Sequence, residues 1–131
     1  RVSAPRLRAD GAVLAESLWE ELEAPDSSWR DADLHGATFT AADLQRAVFV
    51  AACLEGATLD RVDGREALFR LAKMQRASLR KANLMKACFE SADLAEADLR
   101  SANVYGAETW KANLSGVRLD GALTAMSKLA P

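Results

Sequence analysis

Between Ala32 and Thr124 the sequence repeats every five residues without an insertion or deletion. Ala32-Asp33-Leu34-His35-Gly36 is followed by Ala37-Thr38-Phe39-Thr40-Ala41, and the phase holds to Ala122-Leu123-Thr124. We call the third residue of each unit its centre. Nineteen centres fit, from Leu34 to Thr124, and sixteen are Leu, Phe, Met or Val; the others are Gly64, Thr109 and Thr124. Two residues before the centre stands Ala in seventeen units, with Val62 and Val117 in the other two. A phase held this long is the mark of a repeat architecture.

A period of five suits neither regular element. On a helix, five residues advance about 500°, so successive centres would wind around the surface. On a strand, side chains alternate with period two, so successive centres would swap faces. The period does suit a chain that turns a corner every five residues, pointing one large and one small apolar side chain inward per side. Four sides close a square coil of about twenty residues, and stacked coils pair their backbones at about 4.8 Å.

Six units read Ala-Asp-Leu or Ala-Asn-Leu, beginning at Ala32, Ala42, Ala82, Ala92, Ala97 and Ala112. The stretch therefore resembles the pentapeptide-repeat family, whose consensus is Ala-(Asp/Asn)-Leu-x-x. The resemblance implies an all-β solenoid, a right-handed quadrilateral β-helix. At the strand spacing, residues 32–124 would make four to five coils, a rod roughly 20–25 Å long. Phe49, Phe69 and Phe89 are twenty residues apart and should stack on one side. Asp or Asn precedes the centre at 33, 43, 63, 83, 93, 98, 103 and 113, where a short polar side chain can bond nearby backbone. Gly64 should leave a flaw or bulge in the axis, filled by Phe69.

The ends depart from the pattern. Residues 1–31 read as an N-terminal linker and capping helix, 32–124 as the β-helix and 125–131 as a C-terminal cap. Leu14, Leu18 and Leu22 recur every four residues within 12–24, and Pro25 follows, a pattern that predicts a short amphipathic α-helix. A cap would hide the exposed core and open strand edge of a solenoid. A degenerate coil is the alternative, because 12–14, 17–19 and 27–29 keep the phase. On either reading Trp29 closes the axis above Phe49.

Composition narrows the function. Half of the 131 residues are apolar and the net charge is −2, which gives no global pull toward nucleic acid or membrane. No apolar run approaches the ~20 residues that span a bilayer. Cys53 and Cys88 fall on different sides and coils, which argues for free thiols in a reducing compartment. We therefore expect a cytoplasmic location; the resemblance implies a bacterial one, with secretion by a non-Sec route as the alternative. The single histidine, His35, and two separated cysteines offer no metal set. Neither a phosphate-binding Gly-rich loop nor a metalloprotease motif is present. The chain reads as non-enzymatic, with no cofactor.

Two surface groups stand out. The fourth side places Val48, Val50, Leu68, Leu71 and Trp110 outward, with Met85 and Tyr105 at the neighbouring edge. Contiguous apolar surface on a soluble rod marks an interface, and Met and aromatic side chains are enriched in interface cores. These seven residues are the candidate partner-binding set, unless the N-terminal segment folds back over them. Arg61, Arg80, Lys81 and Arg100 form a basic group beside the second side and are the candidate anion-binding set.

The first expectation is a protein-interaction scaffold that presents a rigid face to a protein partner or a second copy, with a homodimer through a coil end as one form. Within the family, such repeats also occur as domains appended to bacterial secretion effectors and adaptors, and residues 1–25 would then be a junction. The resemblance implies one alternative: some members imitate B-form DNA and bind or protect topoisomerases such as gyrase. That role needs an acidic rod, whereas residues 32–124 hold twelve acids and twelve bases.

Overall fold

The computed structural model describes residues 2–129. Every one of its sides carries a single bridging residue, and each bridge joins a residue to the one twenty positions later, in parallel. The bridges run from Ser3↔Glu23 to Asn103↔Leu123 without a break in register. The result is a four-sided parallel β-helix. The corner residue of each five-residue unit has positive φ, at nineteen non-glycine positions and six glycines between Arg6 and Met126. These twenty-five corners make six coils and one further side: residues 32–124 supply the four to five coils expected of them, and the coils before Ala32 add the rest. At the strand spacing the rod is about 30 Å long.

Residues 12–24 form part of the first two coils and not the expected capping helix. Val13, Leu18 and Glu23 are bridging residues, paired with Asp33, Thr38 and Asp43. The leucine spacing misleads because the three leucines occupy different places in their units. Leu14 is a centre and half-buried, Leu18 points outward with 72% of its surface exposed, and Leu22 points inward and is buried. Pro25 is not a helix stop. Both it and Pro5 occupy the second position of a corner turn, which Pro favours and where the ladder asks for no N–H. The linker expected over the first residues is likewise coil: Ser3 and Arg8 bridge to Glu23 and Ser28.

The backbone of each unit satisfies its donors in a fixed way. In the unit 32–36, Ala32 N–H donates to Trp29 O across the preceding corner (3.2 Å), Asp33 N–H to Ala12 O below (2.9 Å), and Leu34 N–H to Cys53 O above (2.8 Å). Gly36 N–H donates to Glu55 O above (2.9 Å). The corner turn, closed from its fourth to its first residue with positive φ at the third, is of type II. That conformation costs a non-glycine residue about 1 kcal/mol or more. The three coil-to-coil bonds per unit hold it in place.

The fifth N–H, that of the residue after the centre, faces outward. At 33, 43, 63, 83, 93, 98, 103 and 113 the Asp or Asn before the centre accepts it, at 3.0 to 3.4 Å. Where Ser takes that place, an aspartate of the coil below substitutes: Asp10 accepts from Arg30 N–H and Asp60 from Arg80 N–H. The Asp/Asn of the repeat is therefore a backbone cap, which is why it recurs.

Inside, the Ala and centre residues are buried from Leu22 to Ala107. Trp29, Phe49, Phe69 and Phe89 stack face to face, with ring centroids 5.9, 5.2 and 5.1 Å apart. Trp29 closes the N-terminal end of the stack next to Phe49, as its phase implies. Trp19 then meets Trp29 edge-on at 5.6 Å. Gly64 makes no bulge: Asp63 bridges to Asn83 and Gly64 N–H donates to Asn83 O at 2.7 Å. The missing side chain is replaced by Leu84 and not by Phe69. A Cβ on Gly64 would meet Leu84 Cδ2 at 3.0 Å. Among the described residues no helix is long and apolar enough to cross a membrane.

Candidate interaction face

The fourth side carries the first candidate set. Val48, Leu68 and Cys88 are bridged in one column, so their side chains project from adjacent rungs. Leu68 and Leu71 are 39% and 45% exposed. Val50 stands at the corner next to that column, half-buried. Trp110 is the most exposed aromatic, at 53%, with Lys111 Nζ 4.4 Å from its ring centroid. Glu108 accepts the Trp110 N–H at 2.9 Å, which fixes the backbone beneath the indole.

The set is not one continuous patch. Val50, Arg70, Glu90 and Trp110 follow each other twenty residues apart along the corner. Arg70 and Glu90 form an ion pair at 3.5 Å between the two apolar members. The structure therefore divides the face into a leucine–valine group around Leu68 and an aromatic group around Trp110. Met85 and Tyr105 are neighbours on the next corner, both half-buried. The N-terminal segment does not fold back over this side, because residues 2–31 continue the coil.

The basic set also comes together. Asp60, Arg80, Arg100 and Asp120 line one column at the corner between the second and third sides, and Arg61, Lys81 and Ser101 the adjoining one. Arg80 bonds Asp60 at 3.0 Å, and Arg100 grips both oxygens of Asp98. Burial works to raise the Asp60 carboxyl, yet the Ser78 hydroxyl and Arg80 bring it below its ordinary value. The Arg100 guanidinium likewise holds Asp98 below the usual carboxylate range. Two cavities open here. One of about 280 Å³ is lined by Asp60, Arg61, Arg80 and Lys81. The other, of about 410 Å³, is lined by Arg80, Lys81, Arg100, Ser101 and Asp120.

Away from these groups, His35 Nδ1 lies 2.8 Å from Asp33 Oδ1 on the first side. The hydrogen bond and charge of Asp33 raise the imidazole above its ordinary value, and Asp33 is lowered in return. Cys53 and Cys88 are free and bridge to different columns. No group of three or more His, Cys, Asp or Glu among the described residues could hold a metal ion.

One structural pair has no counterpart among the expectations from the repeat. Trp19 and Trp29 donate their indole N–H to Ser17 Oγ and Ser27 Oγ, at 2.7 and 2.8 Å. Both serines occupy the inward place usually held by Ala. A Ser two residues before a Trp centre is the available signal: an indole N–H inside an apolar axis needs an acceptor.

Coils of this size, with a small inward residue, a bulky centre and a left-handed corner, define a class of repeat solenoids. The pentapeptide-repeat profile matches eight copies over 30–63, 52–90, 65–100 and 92–123. The chain belongs to the pentapeptide-repeat family. The profile does not extend over residues 2–29, although the same coil geometry does. Two solved structures of trypsin-treated variants of QnrB1, a plasmid-mediated fluoroquinolone resistance protein, share the fold. They superpose with TM-scores of 0.72 and 0.75 at 22% and 19% identity, covering 92% and 97% of this chain and 72% and 74% of theirs. HetL, involved in heterocyst differentiation regulation in the cyanobacterium Nostoc sp. strain PCC 7120, superposes at 0.58 with 19% identity, covering 95% of this chain and 88% of its own. These likenesses support the right-handed four-sided β-helix. No curated protein matches the sequence significantly.

Proposed function

We propose that the protein is a non-enzymatic scaffold that binds a protein partner through the fourth side and its neighbouring corner. The observation that carries this is that the exposed apolar side chains of the middle of the rod, Leu68, Leu71 and Trp110, gather on this side and its corner, whereas the others, such as Val13, Leu18, Leu123 and Met126, belong to the terminal coils. In this reading Trp110 and Tyr105 anchor one group, and Leu68, Leu71, Val48 and Val50 the other, with Met85 as an adaptable contact. The Arg70–Glu90 pair between them sets the register of the partner. A coil backbone bonded at every unit loses little freedom on binding, so ordering costs are small.

The test is capture of a partner by the wild-type protein and by the Leu68→Glu/Trp110→Glu variant. Thermal unfolding and circular dichroism check that the variant folds. A protein partner, or a second copy, retained only by wild type supports the reading. A partner retained equally by both overturns it.

The likeness to QnrB1 keeps the topoisomerase reading as the alternative. It would have the rod present a DNA-like charge surface to gyrase. Balanced charge over 32–124 weighs against it, with twelve acids and twelve bases. A gyrase supercoiling assay with a fluoroquinolone decides it. Protection that falls steeply with salt supports mimicry; no protection removes it.

A further inference from the structure

The corner between the second and third sides carries a second group of side chains, and the reading of it is independent of the protein-binding one. Four cations gather there, and the structure separates them into two kinds. Arg80 and Arg100 are already tied to Asp60 and Asp98. The side chains of Arg61 and Lys81 make no ion pair with any described residue, and both are exposed. They stand one coil apart on the same corner column, about 4.8 Å at the backbone. Register is fixed there by Arg61 N–H donating to Arg80 O (2.9 Å) and Lys81 N–H to Arg100 O (3.0 Å).

The two cavities meet at Arg80 and Lys81 but differ in chemistry. In the lower one, Asp60 is engaged by the Ser78 hydroxyl, the Arg80 backbone and the Arg80 guanidinium. Its charge is therefore spent, and Arg61 and Lys81 are left as a pair of positive charges. In the upper one, Ser101 and Asp120 add a hydroxyl and a carboxylate. A second anion would meet repulsion from Asp120, whereas a sugar hydroxyl could donate to it.

The geometry points to a binding site for a hydroxylated phosphate monoester, of the sugar-phosphate class. The phosphate lies in the lower cavity between Arg61, Lys81 and the free edge of Arg80. A monoester phosphate carries about −1.5 to −2 charge at neutral pH, which matches two unpaired cations. Charge-assisted bonds of this kind are the strong ones. The polyol lies in the upper cavity, donating to Asp120 and accepting from Arg100 and Ser101. Two neighbouring carboxylates would meet the same cations but would leave the upper cavity unused.

The test is a titration of isotope-labelled protein, followed by NMR at constant ionic strength, with glucose 6-phosphate, inorganic phosphate and glucose. The expected result is saturable binding of glucose 6-phosphate, with amide shifts confined to residues 60–61, 80–81, 100–101 and 120. Inorganic phosphate should bind more weakly and shift only 60–61 and 80–81. Glucose should give no shift. Arg61→Ala/Lys81→Ala should raise the Kd for the ester at least tenfold and leave all other resonances in place; both side chains are exposed, so the fold is not at stake. Asp120→Ala should weaken the ester and spare phosphate. An unsaturated response, or an unchanged Kd in the double variant, overturns the site. Equal binding of phosphate and ester overturns the sugar-phosphate assignment, because the upper cavity would then contribute nothing.

Discussion

The two ends of the rod are built from the same repeat and are finished differently. At the C-terminal end the chain leaves the coil after Met126 and tucks Leu129 inward until it is buried. Ser127 helps, donating to Thr124 O at 2.5 Å and accepting Leu129 N–H at 3.4 Å. Met126, by contrast, stays exposed. At the N-terminal end Ala4, Leu7, Ala9, Leu14 and Trp19 occupy inward places yet are only half-buried, as are Leu114, Val117 and Leu119 in the last C-terminal coil. Val13 and Leu18 on the same coil are 80% and 72% exposed. The comparison shows that an inward direction is not the same as burial. In a solenoid each coil is covered only by its neighbours, so a terminal coil keeps its pattern and loses half its packing.

Four measurements test this difference between the middle and the ends of the rod. The largest effect should come from the middle of the rod, where Phe69→Ala removes a ring packed on both faces. A loss of about 3–5 kcal/mol in denaturant unfolding is expected, and a value near 1 would mean that the axis collapses around the gap. Next come the ends themselves. Leu129→Ala should cost about 2–3 kcal/mol and Leu14→Ala about half as much; equal losses would show that the N-terminal coil is covered in solution.

The tryptophan caps make a finer version of the same test. Ser27→Ala leaves the buried Trp29 indole N–H without its acceptor, at a cost of about 1–3 kcal/mol. Ser17→Ala should be nearly neutral, since Trp19 is only half-buried and water can reach its indole. The smallest effect concerns pH. His35 is raised by Asp33, so its contribution is complete below its ordinary value of 6.5 and lost as pH rises through the raised value. Asp33 is lowered, so its share is lost as pH falls through the lowered value. The pair should therefore stabilise only between those limits, and His35→Ala should remove that small dependence from a melting-temperature profile. An unchanged profile would show that solvent screens the contact fully.

Much of the architecture is legible in the repeat phase. The phase places Phe49, Phe69 and Phe89 in one stack and gives the Asp/Asn positions a backbone role. It also groups Arg61, Arg80, Lys81 and Arg100 at one corner. The failures have physical causes. Leu14, Leu18 and Leu22 have helical spacing only because four and five differ by one, so three successive units offer different positions. Pro25 resembles a helix stop because Pro is equally suited to the second place of a turn. Gly64 is filled by Leu84, which lies on the same side one coil above, whereas Phe69 lies on the next side.

Over residues 32–124 the repeat phase is enough to give the coil, its register and the direction of each side chain. Those depend on a period, and a period is a local property repeated. The tertiary structure alone decided which surface groups are free. Arg70 reaches Glu90, Arg80 reaches Asp60, and Arg100 turns back to Asp98, while Arg61 and Lys81 pair with no described residue. A long side chain at a left-handed corner has several oppositely charged neighbours within reach, one coil up, one coil down or two residues back. Only the packed neighbours select among them.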